Sequence, residues 1–103
     1  FPPFARLVAF LWQGAEEEGV AQAAREGAQC LRQTSGAPPT ALLGPAPAPL
    51  ARLRGRYRWQ ALLRGASAAQ LHGWTAQALP AMREAARRRQ AALTVNVVPL
   101  TLM

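Results

Sequence analysis

The segment from Gly55 to Arg64 alternates between two kinds of residue with a period of two. One parity holds the apolar residues Tyr57, Trp59, Ala61 and Leu63. The other holds mainly basic and polar residues, namely Arg56, Arg58, Gln60 and Arg64. Because successive side chains of a β-strand point to opposite faces, this pattern predicts a strand with one apolar and one cationic face. The apolar face needs a core to cover it, and the cationic face indicates an anionic ligand.

Five other segments have patterns of regular secondary structure. We expect a buried strand at Ala5–Trp12, a helix over about Ala15–Arg32, a short strand at Thr40–Leu43, a second helix between Ser67 and Arg89, and a final strand at Leu93–Val98. Ser67 and Gln70 form a capping-box signature at the start of the second helix. Pro80 predicts a kink in this helix or a boundary between two helical pieces.

The predicted order is strand, helix, strand, strand, helix, strand, which is that of a split βαβ pattern. We therefore predict an α+β fold, a two-layer βαββαβ sandwich with a largely antiparallel sheet and two helices on one face. A length of 103 residues fits one domain, in which the Pro-rich stretch at 44–50 is expected to act as a linker. The chain opens with Phe1 rather than Met, so we expect a piece of a longer protein.

The chain carries a net charge of +7, from twelve arginines and five glutamates, with no lysine and no aspartate. Two explanations of the arginine-for-lysine choice stay open. One is codon bias in a GC-rich genome, and the other is selection for the guanidinium group, which pairs bidentately with phosphates and carboxylates. The excess of positive charge favours a polyanion or an acidic peptide as partner under either explanation.

The residues that catalysis or metal binding would require are sparse. His72 is the single histidine, and it has no cysteine, aspartate or second histidine near it in sequence. Ser67 has no neighbouring base, and a Gly-rich phosphate loop followed by lysine is excluded because the chain has no lysine. Cys30 is the single cysteine and cannot form an internal disulfide, which indicates a reducing cytoplasm. No apolar run reaches membrane-spanning length, so we predict a binding module, not an enzyme, with no cofactor, metal or membrane partner of its own.

The block Arg54-Gly-Arg-Tyr-Arg-Trp-Gln-Ala-Leu-Leu-Arg64 resembles a motif in the C-terminal domain of primosomal protein N′, a family of bacterial replication-restart DNA helicases. Three weaker motifs resemble the same family: Phe1-Pro2-Pro3-Phe4, Leu43-Gly-Pro-Ala-Pro47 and Val95-Asn-Val-Val-Pro99. The likeness covers the whole chain with the family's spacing. It departs from the family at Asn96 and Val98, where the family's terminal motif has aspartates, and this makes the domain more basic.

The resemblance implies a fold similar to ribosomal protein S10 and binding to forked and single-stranded DNA. It also implies a share in docking the acidic C-terminal tail of the single-stranded DNA-binding protein, by Arg56 and Gln60 of this chain. The spacing of these two residues corresponds to about 13 Å along one strand face. The implied parent is an ATP-dependent 3′–5′ DNA helicase of the bacterial cytoplasm and nucleoid. It acts with other primosome proteins and needs ATP, magnesium and zinc outside this piece.

Phosphate contacts are predicted for two groups of arginine, Arg52, Arg54, Arg58 and Arg64 around the strand and Arg87, Arg88 and Arg89 at the end of the second helix. The alternatives are a solvated strand face that keeps an edge from aggregating, and a helix end whose cations suit the helix dipole. Tyr57 and Trp59 either pack in the core or stack on bases. As alternative functions we keep an RNA-binding, ribosome-associated S10-like module and a structural brace on a parent enzyme.

Overall fold

Four strands and two helices make up the computed structural model, which describes residues 6–99. The strands are β1 (Arg6–Gly14), β2 (Leu42–Leu53), β3 (Arg56–Gly65) and β4 (Ala92–Pro99). The helices are α1 (Glu17–Thr34) and α2 (Ala68–Arg88), and a short 3-10 turn at Pro39–Ala41 precedes β2. This order confirms the predicted βαββαβ arrangement and the α+β class. The Phe1–Phe4 motif lies outside the described residues.

The strands form one antiparallel sheet in the order β2-β3-β1-β4. Val8 of β1 lies opposite Leu63 of β3 and Val97 of β4, and such opposite residues point to the same face of a sheet. Both helices pack against this face, since its buried residues form one cluster with those of α1 and α2. Among residues 6–99 no helix covers the opposite face, which is called the open face below.

The core lies between the helices and the alternate residues of β1 and β3. Phe10 and Trp12 of β1 are fully buried, and their rings stack with centroids 6.3 Å apart. Gly27 of α1 lies directly under the Trp12 ring, where a Cβ atom would be 2.5 Å from a ring carbon. The buried face of α1 otherwise consists mainly of alanines, so the helix approaches the sheet closely and a chain rich in small residues still builds a dense core.

The Pro-rich stretch at 44–50 lies inside β2 instead of joining two separate strands. The pairing of β2 with β3 is interrupted by register shifts after Leu43 and after Pro47. Proline lacks the N–H that a central strand needs, but an edge strand tolerates it. At the first shift Gly44 has a φ of +97°, and a Cβ atom there would lie 3.0 Å from the carbonyl oxygen of Gln60. Glycine is therefore required at this bulge.

The start of α2 has the predicted Ser67 cap, whereas the Gln70 side chain returns to Ala66, one residue before the N-cap residue that a capping box uses. Ser67 Oγ accepts a hydrogen bond from the Gln70 backbone N–H at 3.1 Å, and Gln70 Oε1 accepts one from the Ala66 backbone N–H at 2.9 Å. The helix then continues through Pro80 to Arg88 as a single element, so the boundary between two helical pieces that the sequence allowed is absent. Pro80 lies on the exposed side of α2.

Candidate functional site

The two layers of the fold differ strongly in charge. The sheet and the β2–β3 turn carry no acidic residue and six arginines, which are Arg6, Arg52, Arg54, Arg56, Arg58 and Arg64. The helices and their flanking residues carry the other six arginines and all five glutamates. Six of the seven net positive charges therefore belong to the sheet layer.

The predicted cationic side of β3 lies on the open face. Tyr57, Trp59, Ala61 and Leu63 lie opposite Gly14, Trp12, Phe10 and Val8 of β1 and share their helix-covered face. The other residues of β3 point the opposite way, onto the open face. We call four of them, Arg56, Arg58, Gln60 and Arg64, the arginine row. The structure thus brings together the two proposed tail-binding residues and two of the proposed DNA-binding arginines.

Apolar residues interrupt the arginine row in the middle of the open face. Gln60 lies between Leu11 of β1 and Ala46 of β2. The next open-face residue, Leu62, lies between Ala9 and Leu43. The face is therefore cationic at the hairpin end, apolar in its centre, and cationic again at Arg64. An extended ligand that carries negative charge beside apolar groups matches this sequence of surfaces. The sequence analysis missed the apolar centre, because it depends on which strands neighbour β3.

Arg58 is the most constrained member of the row. It is half-buried, and one Nη atom donates a hydrogen bond to the Leu50 carbonyl of β2 at 3.1 Å. Its Nε donor is buried and has no acceptor within the described part of the protein. The hydrogen bond to Leu50 therefore holds the Arg58 guanidinium beside β2.

Arg52 and Arg54 do not belong to the arginine row. Arg52 lies opposite Tyr57 and therefore on the helix-covered side, with its guanidinium 5.2 Å from the Tyr57 ring centroid. Arg54 occupies the turn, with a φ of +55°. Arg25 of α1 covers Trp59 in a similar way at 5.3 Å. Tyr57 and Trp59 thus pack partly against the core and partly under arginines, a contact that the sequence could not indicate because Arg25 is far away along the chain.

The arginines at the end of α2 are largely paired with glutamates. Arg87 binds Glu84 through two hydrogen bonds of 3.2 and 2.6 Å. Arg89 binds Glu26 of α1 at 2.5 Å, and Arg88 lies within 4.0 Å of both carboxylates. Two glutamates therefore offset much of the charge of three arginines at this position. The sequence gives no signal for Glu26, which lies 63 residues before Arg89.

The Glu26 contact leads to a prediction about acid stability. The hydrogen bond from Arg89 lowers the pKa of Glu26 from its ordinary value of 4.5, against the opposing effect of burial. A carboxylate with a lowered pKa stabilises the fold above its unfolded pKa, and this stabilisation is lost as the pH falls through its folded pKa. We expect Glu26→Gln to lower the free energy of unfolding by up to about 1 kcal/mol at neutral pH, and to change it progressively less in acid.

Urea unfolding of both proteins from neutral pH into the acid range measures this difference. Glu17→Gln is a suitable control, since it removes the same charge from an exposed position in the first turn of α1. The proposed pairing would be contradicted if the free energies of unfolding of Glu26→Gln and of the unmodified protein differed by the same amount at every pH.

Other kinds of site find little support in residues 6–99. These residues contain no cluster of three or more His, Cys, Asp or Glu placed to hold a metal ion. His72 is exposed on α2, and burial raises the pKa of the partly buried Cys30 thiol. No helix in this range has both the length and the apolar character to cross a membrane.

The two-layer fold and its cationic open face define a small basic α+β domain. Residues 1–100 of the 103-residue chain match the family model of the primosomal protein N C-terminal domain, and the chain belongs to this family. None of the curated proteins matches it. The resemblance carried by the block from Arg54 to Arg64 is confirmed. Membership of this family implies a primosomal role in replication restart.

Proposed function

We propose that this domain binds forked and single-stranded DNA through its open face and helps to dock the acidic C-terminal tail of the single-stranded DNA-binding protein. The observation that carries the proposal is the charge of the open face, where Arg56, Arg58 and Arg64 lie on β3 and the described strands carry no acidic residue. Family membership supports the setting, a bacterial cytoplasmic protein acting with primosome components and DNA. The parent's helicase activity, and its use of ATP, magnesium and zinc, belong to the same proposal.

The tail is proposed to contact the hairpin end of the arginine row. Arg56 is exposed, and its planar guanidinium can bind the terminal carboxylate of a peptide through two parallel hydrogen bonds. Gln60 is half-buried on the same face, and its amide can both donate to and accept from a peptide main chain. Leu11 and Leu62 beside it offer an apolar surface to side chains of the tail. The arrangement thus offers a guanidinium for the terminal carboxylate, an amide for the peptide main chain, and an apolar surface for the peptide side chains.

DNA is proposed to contact the same face by its phosphates. Contacts between arginine and phosphate raise affinity without reading base sequence, which suits a domain that must act wherever a fork stalls. Arg58 lies between the two proposed tail contacts, and Arg64 extends the cationic surface along β3 beyond them. Because glutamates pair with Arg87 to Arg89, we expect this second group to contribute less to DNA binding than the open face does.

A peptide titration tests the tail contact. We expect Arg56→Ala to weaken binding of an acidic tail peptide about 10-fold, the order expected for a hydrogen bond to a charged group. Fluorescence anisotropy with a labelled peptide measures this change. Arg83→Ala is the matched control, since it removes the same side chain from an exposed position on α2 and should have little effect.

A chemical change in the peptide makes the test specific for the carboxylate. Converting the peptide's terminal carboxylate to an amide should weaken binding to the unmodified chain as much as Arg56→Ala does. The same conversion should have little further effect on Arg56→Ala, because the two changes remove one contact. If the two losses simply add, Arg56 does not bind the carboxylate.

A further inference from the structure

Two arginines lie against aromatic rings on the helix side of β3, near the end where the β2–β3 hairpin turns. The Arg25 guanidinium of α1 lies over the Trp59 ring, 5.3 Å from its centroid, and the Arg52 guanidinium lies over the Tyr57 ring at 5.2 Å. Tyr57 and Trp59 are two residues apart on one face of the strand, a separation of about 7 Å. We call Arg25 and Arg52 the stacked pair.

The stacked pair keeps its hydrogen-bond donors available to a ligand. A guanidinium that stacks on an aromatic ring leaves the N–H donors in its own plane free. Within residues 6–99 Arg52 forms no hydrogen bond or ion pair, and the Arg25 guanidinium has one distant carboxylate contact, with Glu18 Oε2 at 3.9 Å. Glu18 is largely exposed, so a stronger acceptor can replace it. Because the rings already restrict both arginine side chains, a ligand has less conformational entropy to overcome.

The hairpin turn joins the stacked pair to the arginine row. Gly14, the last residue of β1, lies opposite Tyr57, so Arg56 and the turn extend beyond β1 and only β2 and β3 are present there. Arg54 occupies this turn, between Arg52 on the helix side and Arg56 on the open face. Arginines therefore follow one another around the hairpin end, from one face of the sheet to the other.

We propose that the stacked pair is a second phosphate-binding site, and that a single strand of DNA bends around the hairpin end from the arginine row to reach it. The inference rests on the proposed function, because the same strand contacts the open face. A single strand can follow this path since the bonds of its backbone rotate freely, whereas duplex DNA is stiff over roughly 150 base pairs. The stacked pair therefore favours single-stranded over duplex DNA without reading base sequence.

Binding of a single-stranded oligonucleotide and of a duplex of the same length tests the inference, with fluorescence anisotropy as the measurement. Combining Arg25→Gln with Arg52→Gln should weaken binding of the single strand about 10-fold. The slope of log affinity against log salt should fall by about 1.4, the value for two phosphate contacts on a single strand. Binding of the duplex should change by less than about 2-fold, since a stiff duplex on the open face does not reach the stacked pair.

Combining Arg6→Gln with Arg83→Gln provides the matched control. It removes the same charge from two exposed arginines on β1 and α2, outside the hairpin. Because salt screens charges that do not contact the ligand, binding of either DNA should change by less than about 2-fold.

The outcomes separate this inference from the proposed function. A loss confined to the single strand and to the stacked-pair variant supports the inference. Equal affinities of the stacked-pair variant and the control overturn it, as do equal losses for both kinds of DNA. If the stacked-pair variant binds the single strand normally while replacement of the arginine row weakens binding, the inference alone fails. If the unmodified chain binds neither DNA, the proposed function fails with it. Circular dichroism of each variant shows that a loss does not result from unfolding.

Discussion

Replacing Arg56, Arg58 and Arg64 together with glutamine is expected to weaken binding of single-stranded DNA by about 100-fold at low salt, if each contact is worth roughly 1 kcal/mol. Glutamine keeps a polar, though shorter, side chain and cannot neutralise a phosphate. The loss should shrink as salt is added, because counterion release drives such binding. With three phosphate contacts removed, the slope of log affinity against log salt should fall by about 2 for a single strand.

Replacing Arg87, Arg88 and Arg89 with glutamine provides the matched control. It removes the same formal charge, but from arginines that Glu26 and Glu84 already neutralise in part. We expect a loss below about 10-fold and a smaller change in salt slope. Equal losses for the two triple variants would mean that net charge alone decides affinity and that the open face has no special role.

A structured RNA measured beside forked DNA at the same salt concentration separates the two nucleic acids. The proposed function requires forked DNA to bind at least as tightly as the RNA. Much tighter binding to the RNA would favour a ribosome-associated module instead. Failure to bind either nucleic acid or the tail peptide would favour a structural brace. The open-face variants show whether any observed binding uses the arginine row.

The side of β3 that carries the arginines was predictable from sequence because strand periodicity is a local property. Arg56 and Gln60 have the same parity, and neither requires information from elsewhere in the chain to be placed on one face. The helix start at Ser67 was predictable for the same reason, since both partners of the cap lie within one turn. The overall order of elements followed from these local patterns together.

Contacts between elements were not predictable in this way. The placement of Arg52 on the opposite face depends on the hairpin turn and on the register shift after Pro47. The sequence also did not show that the Pro-rich stretch pairs with β3, because its prolines resemble those of a linker. Glu26 reaches Arg89 only because α1 and α2 lie side by side. The net charge of the α2 end was therefore overestimated from the local run of arginines.

Trp12→Ala is expected to have the largest effect on stability, a loss of about 3–5 kcal/mol in the free energy of unfolding. The indole is fully buried between Phe10 and α1, and its Nε1 donor has no acceptor within residues 6–99. Its removal therefore breaks no hydrogen bond, and the loss reports packing alone. Urea unfolding measures it. Trp74→Ala, which removes the same ring from a half-buried position on α2, should cost less.

Gly27 provides a sharper test of the same packing. Gly27→Ala should change the free energy of unfolding in opposite directions depending on whether Trp12 is present. In the unmodified protein Gly27→Ala places a Cβ atom 2.5 Å from a ring carbon and should destabilise the fold by roughly 1–3 kcal/mol. In the Trp12→Ala protein the ring is gone, and alanine should stabilise α1 by up to about 1 kcal/mol relative to glycine. A double-mutant cycle measures the change of sign. Additive effects would show that α1 does not lie against Trp12.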